Sequence, residues 1–80
     1  MEGEFTKLVD GVVWNSAPDM SSYDIAIAYN LAKDKIDELG VGNAAVTVER
    51  EDGTGLHRVW WSTDTRTQFK PAKKLKWFSR

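Results

Sequence analysis

Short runs of alternating apolar and polar residues lie toward both ends of the chain, and a segment with helical spacing lies between them. The stretch FTKLVDGVVWN holds Asp10-Gly11 between two β-prone runs, and this dipeptide is typical of a two-residue hairpin turn. The alternative is a single strand with a bulge at Gly11. The two-residue turn predicts three cross-strand pairs: Val9 with Val12, Leu8 with Val13, and Lys7 with Trp14.

The middle of the chain predicts one amphipathic helix. Ser21 or Ser22 is expected as its N-cap, Asp24 favours the positive helix start, and Gly40 supplies a left-handed C-terminal stop. Apolar residues at helical spacing form the stripe expected to face a sheet: Ile25, Ala28, Tyr29, Ala32, Ile36 and Leu39.

A second set of apolar residues accompanies this helix. Tyr23, Ile27 and Leu31 are four residues apart and project toward the side that holds Asp34 and Glu38. They either widen the contact with the core or form an exposed strip that meets a partner or a second copy of the chain. A homodimer built on this strip is therefore one assembly that the sequence allows.

The stretch AAVTVERED-GT-GLHRVWWSTDT predicts a second hairpin, with a two-residue loop at Gly53-Thr54. This loop pairs Glu51 with Leu56, Glu49 with Arg58, Val48 with Val59, and Val46 with Trp61. Neighbouring strand residues point to opposite faces. Trp61 is therefore expected in the core with the valines, and Trp60 on an uncovered sheet face beside Arg58. Glu49 and Arg58 are expected to form a cross-strand ion pair.

The last stretch, QFKPAKKLKWFSR, is compatible with two structures. As a strand, it places Leu75 and Trp77 toward the core, with Lys74, Lys76 and Phe78 beside Trp60. As a short helix, it has Pro71 in the first turn and an apolar stripe of Ala72, Leu75 and Phe78. The alternation of Lys-Leu-Lys-Trp favours the strand.

These elements predict a two-layer α+β fold, with one domain over residues 1–80. One amphipathic helix packs on one face of an antiparallel sheet of four to five strands, in the order β-β-α-β-β with a C-terminal strand or short helix. The chain has no cysteine, so disulfides and thiolate chemistry are excluded. No signal peptide and no apolar run of membrane-spanning length is present, so we expect a cytoplasmic protein without membrane contact.

Charge is distributed unevenly along the chain. The net charge is −1, but residues 1–40 hold eight acidic and three basic side chains, and residues 41–80 hold four acidic and eight basic ones. From residue 65 onward there is no acid, and the bases are Arg66, Lys70, Lys73, Lys74, Lys76 and Arg80. This basic end either rests against the acidic helix or docks on an external anionic partner.

The sequence offers little chemistry for catalysis. His57 is the only histidine, and nothing near it indicates a triad or a metal site. Asp34, Asp37 and Glu38 fall on the solvated side of the predicted helix. The GVG at residues 40–42 follows a helix, whereas phosphate-binding loops open one. We therefore expect a protein that is not an enzyme and that uses no cofactor or metal.

The function expected first is a protein-interaction module, either a small adaptor or an inhibitor. By its size it is of the sort that phages and mobile elements use as accessory proteins. Its expected binding residues are Trp60, Arg58, Lys73, Lys74, Lys76 and Phe78, with a second interface at Tyr23, Ile27 and Leu31. The alternative is single-stranded nucleic acid, with bases stacked on Trp60 and phosphates held by the lysines. The isoelectric point near 5.7 weighs against that alternative.

Overall fold

The computed structural model describes residues 4–64, which form one helix packed on an antiparallel five-stranded sheet. The α+β class predicted from the sequence is confirmed. The strands are β1 (Phe5–Val9), β2 (Val12–Ser16), β3 (Ser21–Ser22), β4 (Ala45–Arg50) and β5 (His57–Ser62), and helix α1 (Ile25–Leu39) lies between β3 and β4. The two-residue strand β3 was not predicted, and the stretch after residue 64 lies outside the described residues.

Strand β5 is the centre of the sheet. Trp61 of β5 pairs with Val46 of β4 and with Asn15 of β2, so β4 and β2 lie on opposite edges of β5. Strand β3 pairs with the same edge of β5 as β2, through Ser21 and Arg58. Strand β1 pairs with β2 alone among the described strands, so it forms one edge of the sheet as described for residues 4–64. Helix α1 packs against β3, β4 and β5.

The first hairpin forms in the predicted register. Val9 pairs with Val12, Leu8 with Val13, and Lys7 with Trp14. Asp10 and Gly11 have φ values of 52° and 80°. Positive φ at both central residues is what a type I′ turn requires, and the twist of that turn matches the twist of the flanking strands. The single bulged strand is thereby excluded.

The second hairpin has the predicted register but a longer loop. All the predicted pairs form, and the last is closed by the Glu51 N–H, which donates to the Leu56 carbonyl at 2.8 Å. The predicted two-residue loop is wrong, because residues 52–55 all lie beyond this pair. The Gly55 N–H donates to the Glu51 carbonyl at 3.1 Å, and Gly53 and Gly55 both have positive φ. The pairing register is the same as predicted, because the loop is longer than predicted by one residue on each side.

Helix α1 has its N-cap at Asp24, later than the predicted Ser21 or Ser22, and it ends at Gly40 as predicted. Asp24 is the N-cap, and its carboxylate accepts a hydrogen bond from the Ala26 N–H at 2.9 Å. Ser22 instead accepts a hydrogen bond from the Asp24 N–H through its hydroxyl, at 3.0 Å. The Gly40 N–H donates to the Ile36 carbonyl at 2.9 Å, and the φ of 98° at Gly40 stops the helix.

The core lies between the helix and the β4–β5 hairpin. Ala32, Val46, Val59 and Trp61 form its buried cluster, and the partly buried residues packed on it are Ala17, Met20, Leu31, Ile36, Leu39 and Val48. The buried side of the helix holds Ala28, Ala32 and Lys35. Two members of the predicted stripe, Ile25 and Tyr29, are instead exposed. The core-facing side is therefore rotated toward Leu31, with small alanines at its centre.

Replacing Gly40 with alanine is expected to destabilise the protein by about 1–2 kcal/mol, since a Cβ there disfavours positive φ. The new Cβ would also lie 2.5 Å from Nδ2 of Asn43, the end of a flexible side chain, which would have to rotate and release its 3.5 Å hydrogen bond to the Leu39 carbonyl at a small added cost. The matched control is Gly42→Ala, at which φ is 91° and nothing lies within 4 Å of the added Cβ. Thermal unfolding followed by circular dichroism should show a larger loss for Gly40→Ala. Equal losses of stability in the two variants would show that the contact with Asn43 does not contribute to the effect of Gly40→Ala.

A candidate binding cleft at Trp60

Both tryptophans of HRVWWS are buried, on opposite faces of the sheet. Trp61 is 2% exposed and faces the helix, where the Lys35 ammonium nitrogen lies 4.2 Å from its ring centroid. Trp60 is 8% exposed and has the Lys7 ammonium nitrogen 4.3 Å from its ring centroid. The expectation that Trp60 lies on an uncovered face is therefore wrong, because Lys7 of β1 covers it.

Strand β1 covers Trp60 because the sheet curls. In a flat sheet β1 and β4 would be about 14 Å apart, three strand spacings. Nevertheless, the Lys7 ammonium forms an ion pair with the Glu49 carboxylate of β4 at 2.7 Å. The first hairpin therefore bends toward the face that carries Trp60, Arg58 and Glu49, so that the Lys7 side chain reaches Glu49 across the Trp60 ring.

Arg58 is held in place by three contacts on this side of the sheet. Its Nε donates to Oε2 of Glu51 at 2.7 Å, and its Nη1 donates to the Ala17 carbonyl at 3.0 Å. The guanidinium carbon lies 4.8 Å from the centroid of the Phe5 ring. The predicted ion pair between Glu49 and Arg58 is wrong, since Glu49 pairs with Lys7 and Arg58 with Glu51.

A cleft of about 490 Å³ lies between β1 and the end of the second hairpin. Its lining residues are Glu4, Phe5, Thr6, Glu51, Arg58 and Trp60. Phe5 and Thr6 are consecutive residues of β1, so their side chains point to opposite faces, yet both residues line the cleft. The edge of β1, including its main chain, therefore borders the cleft.

The edge of β1 presents main-chain groups that no other described strand uses. In a two-residue hairpin the pair that flanks the turn exchanges both hydrogen bonds, and such pairs alternate along the ladder. Val9, Lys7 and Phe5 therefore bond to β2. The N–H and C=O groups of Thr6 and Leu8 point away from β2, and within residues 4–64 no strand pairs with them.

Several groups at the cleft keep unused binding capacity. Phe5 remains 40% exposed although Arg58 lies over its ring. The indole Nε1 of Trp60 has no hydrogen-bond acceptor within the described part of the chain, but it is buried and therefore not open to a ligand. Glu51 uses Oε2 for Arg58, and no bond of its Oε1 is present among residues 4–64. The cleft thus combines an aromatic ring, a carboxylate oxygen and a main-chain edge.

The predicted second interface at Tyr23, Ile27 and Leu31 is not one exposed strip. Tyr23 precedes the helix and is 71% exposed, Ile27 is exposed on the helix, and Leu31 is half-buried against the core. Lys73, Lys74, Lys76 and Phe78 lie outside the described residues. The cleft is lined by Trp60 and Arg58 together with Glu4, Phe5 and Thr6. These last three residues were not among the predicted binding residues.

Neither a metal-ligand cluster nor a membrane-spanning helix is found among residues 4–64. No group of three or more histidine, cysteine or acidic side chains in this range is arranged to hold a metal ion. No helix in the same range has the length and apolar content needed to cross a bilayer.

Comparison of the chain with protein-family models, curated proteins and solved structures gives no significant match.

Proposed function

We propose that the protein is a non-enzymatic protein-interaction module, a small cytoplasmic adaptor or inhibitor, that binds an extended segment of a partner protein along β1. The observation that carries this proposal is that the edge of β1 borders the cleft and pairs with no other strand among residues 4–64. An added strand would form hydrogen bonds with the main chain of Thr6 and Leu8. In strand addition, main-chain bonds supply affinity, and pockets for alternate side chains supply specificity. The phage or mobile-element origin expected from size stays a prediction.

The apolar side chains near this edge support the same proposal. Leu8 is 69% exposed, and Val9 and Val13 beside it are exposed as well. Phe5 lies at the other end of the same strand. Exposed apolar groups that follow an unpaired edge favour association with a further chain. A bound segment would cover them together with the polar main-chain groups.

Two observations weigh against the alternative, single-stranded nucleic acid bound at this face. Trp60 is buried under Lys7, so its ring offers no open surface for base stacking. The whole chain has a net charge of −1, so it offers no net electrostatic attraction for phosphates. This alternative would rest on Lys73, Lys74, Lys76 and Phe78 alone.

A proline at position 6 tests the proposed strand addition. Thr6→Pro removes an outward N–H without removing a hydrogen bond to β2, and edge positions of this kind tolerate proline. The matched control, Thr6→Val, keeps the N–H and the β-branched shape. A displayed library of random twelve-residue peptides is selected on the wild-type protein. We expect the selected peptides to bind Thr6→Val normally and Thr6→Pro about tenfold more weakly.

The same selection has two outcomes that contradict the proposal. The first is a set of selected peptides that bind wild type and Thr6→Pro equally. The second is a selection that enriches no peptide, while a mixed-sequence single-stranded oligonucleotide binds at low salt. If that binding is lost when Lys73, Lys74 and Lys76 become alanine, the nucleic-acid alternative takes the place of the proposal.

A further inference from the structure

We infer that the cleft is a receptor for one cationic side chain, an arginine or a lysine, carried by the segment that binds along β1. This inference rests on the proposed function and adds the chemistry of the residue that enters the cleft. It is carried by the carboxylates of the cleft, by its aromatic ring, and by the local excess of acidic over basic side chains at the cleft.

The carboxylates of the cleft exceed the needs of its own cation. Glu4 and Glu51 line it together with the single base Arg58. Arg58 is already bound by Oε2 of Glu51 and by the Ala17 carbonyl. Glu4 has no ion pair among the described residues, so its carboxylate is left to pair with an incoming cation.

The aromatic ring of the cleft suits the same ligand. Cations are attracted to the faces of aromatic rings, and arginine stacks on them especially well. This chain already uses such contacts here: Lys7 lies over Trp60, and Arg58 lies over Phe5. The exposed part of Phe5 leaves room for the stem of a further long basic side chain beside Glu4.

The local charge of the cleft points the same way. The whole chain has a net charge of only −1, so the attraction has to come from the cleft itself, where Glu4 and Glu51 face the single base Arg58. Such a site attracts a cationic side chain and disfavours an acidic one. A neutral or acidic side chain in the cleft would leave the carboxylate of Glu4 without a partner.

The test compares two capped peptides of seven residues, Thr-Val-Thr-Arg-Thr-Val-Thr and the same peptide with citrulline in place of arginine. Citrulline keeps the shape of arginine and lacks its charge. Dissociation constants are measured by NMR titration at low salt for the wild type, Glu4→Gln and Asp37→Asn. Asp37 is an exposed helix residue outside the cleft lining, and its variant loses the same charge.

We expect the wild type to bind the arginine peptide about fivefold more tightly than the citrulline peptide. Glu4→Gln should reduce this preference to about twofold or less, and Asp37→Asn should retain it. Equal binding of both peptides to the wild type would overturn the inference and leave strand addition standing. Equal loss of the preference in both variants would also overturn it, because the attraction would then come from overall charge.

Absence of binding by either peptide would overturn the inference as well, since a cation receptor on this edge should hold the arginine peptide. Strand addition itself would then be decided by the comparison of Thr6→Pro with Thr6→Val. The failure of the inference and the failure of the proposed function are therefore distinguishable.

Discussion

Replacement of Trp61 by alanine is expected to lower the free energy of unfolding by about 3–5 kcal/mol, the usual cost of removing a buried tryptophan. Trp61 belongs to the core cluster between the helix and the β4–β5 hairpin and is 2% exposed. It also carries the Lys35 ammonium on its ring. The single core of a domain of about 80 residues rarely supplies more than about 3–5 kcal/mol, so this variant should approach complete unfolding. Urea denaturation followed by circular dichroism measures the loss.

The matched control for Trp61→Ala is Tyr23→Ala. Tyr23 is a large aromatic residue that is 71% exposed, and its removal should change stability by about 0.5 kcal/mol or less. A Trp61→Ala variant as stable as Tyr23→Ala would contradict the position of Trp61 in the core.

Replacement of Trp60 by alanine is expected to cost about 3 kcal/mol, because Trp60 is buried under β1 although it lies on the face opposite the helix. The variant loses the contact between Trp60 and Lys7, and with it the support for the curled hairpin. Trp60→Phe keeps an aromatic ring in place and should cost less. The same urea titration applies to both variants, and a loss below about 0.5 kcal/mol for Trp60→Ala would indicate an open face.

Local rules were sufficient to predict the register of both hairpins, although not the loop length of the second. Asp10-Gly11 specifies a type I′ turn, and the alternation of Val46 and Val48 fixes which face of β4 is buried. Both effects act between neighbours in sequence or across one hairpin. The C-terminal stop at Gly40 follows for the same reason, since it depends on the φ of a single residue.

The covering of Trp60 could not be predicted from such rules. It depends on the curl of the sheet, which brings Lys7 to Glu49 across 42 residues of sequence. The side of the helix that meets the sheet was also ambiguous. Apolar residues surround much of its circumference, so periodicity alone did not show that Leu31 packs on the core while Ile25 and Tyr29 stay exposed.

The candidate cleft was therefore found only in part from the sequence. Trp60 and Arg58 were selected because they share a strand face, and both line the cleft. Glu4, Phe5 and Thr6 were missed, because their proximity to β5 is a consequence of the same curl. The alternation that places Phe5 and Lys7 on one face of β1 was the available signal. It does not by itself specify which face of which strand they meet.

Amide hydrogen exchange, followed residue by residue in the free protein and with a peptide selected on it, tests the proposed strand addition most directly. In the free protein the Thr6 and Leu8 amides should exchange fast, while those of Lys7 and Val9, which bond to β2, should exchange slowly. With the peptide bound, Thr6 and Leu8 should become slow as well. A peptide that slows amides elsewhere and leaves Thr6 and Leu8 fast would contradict binding along β1.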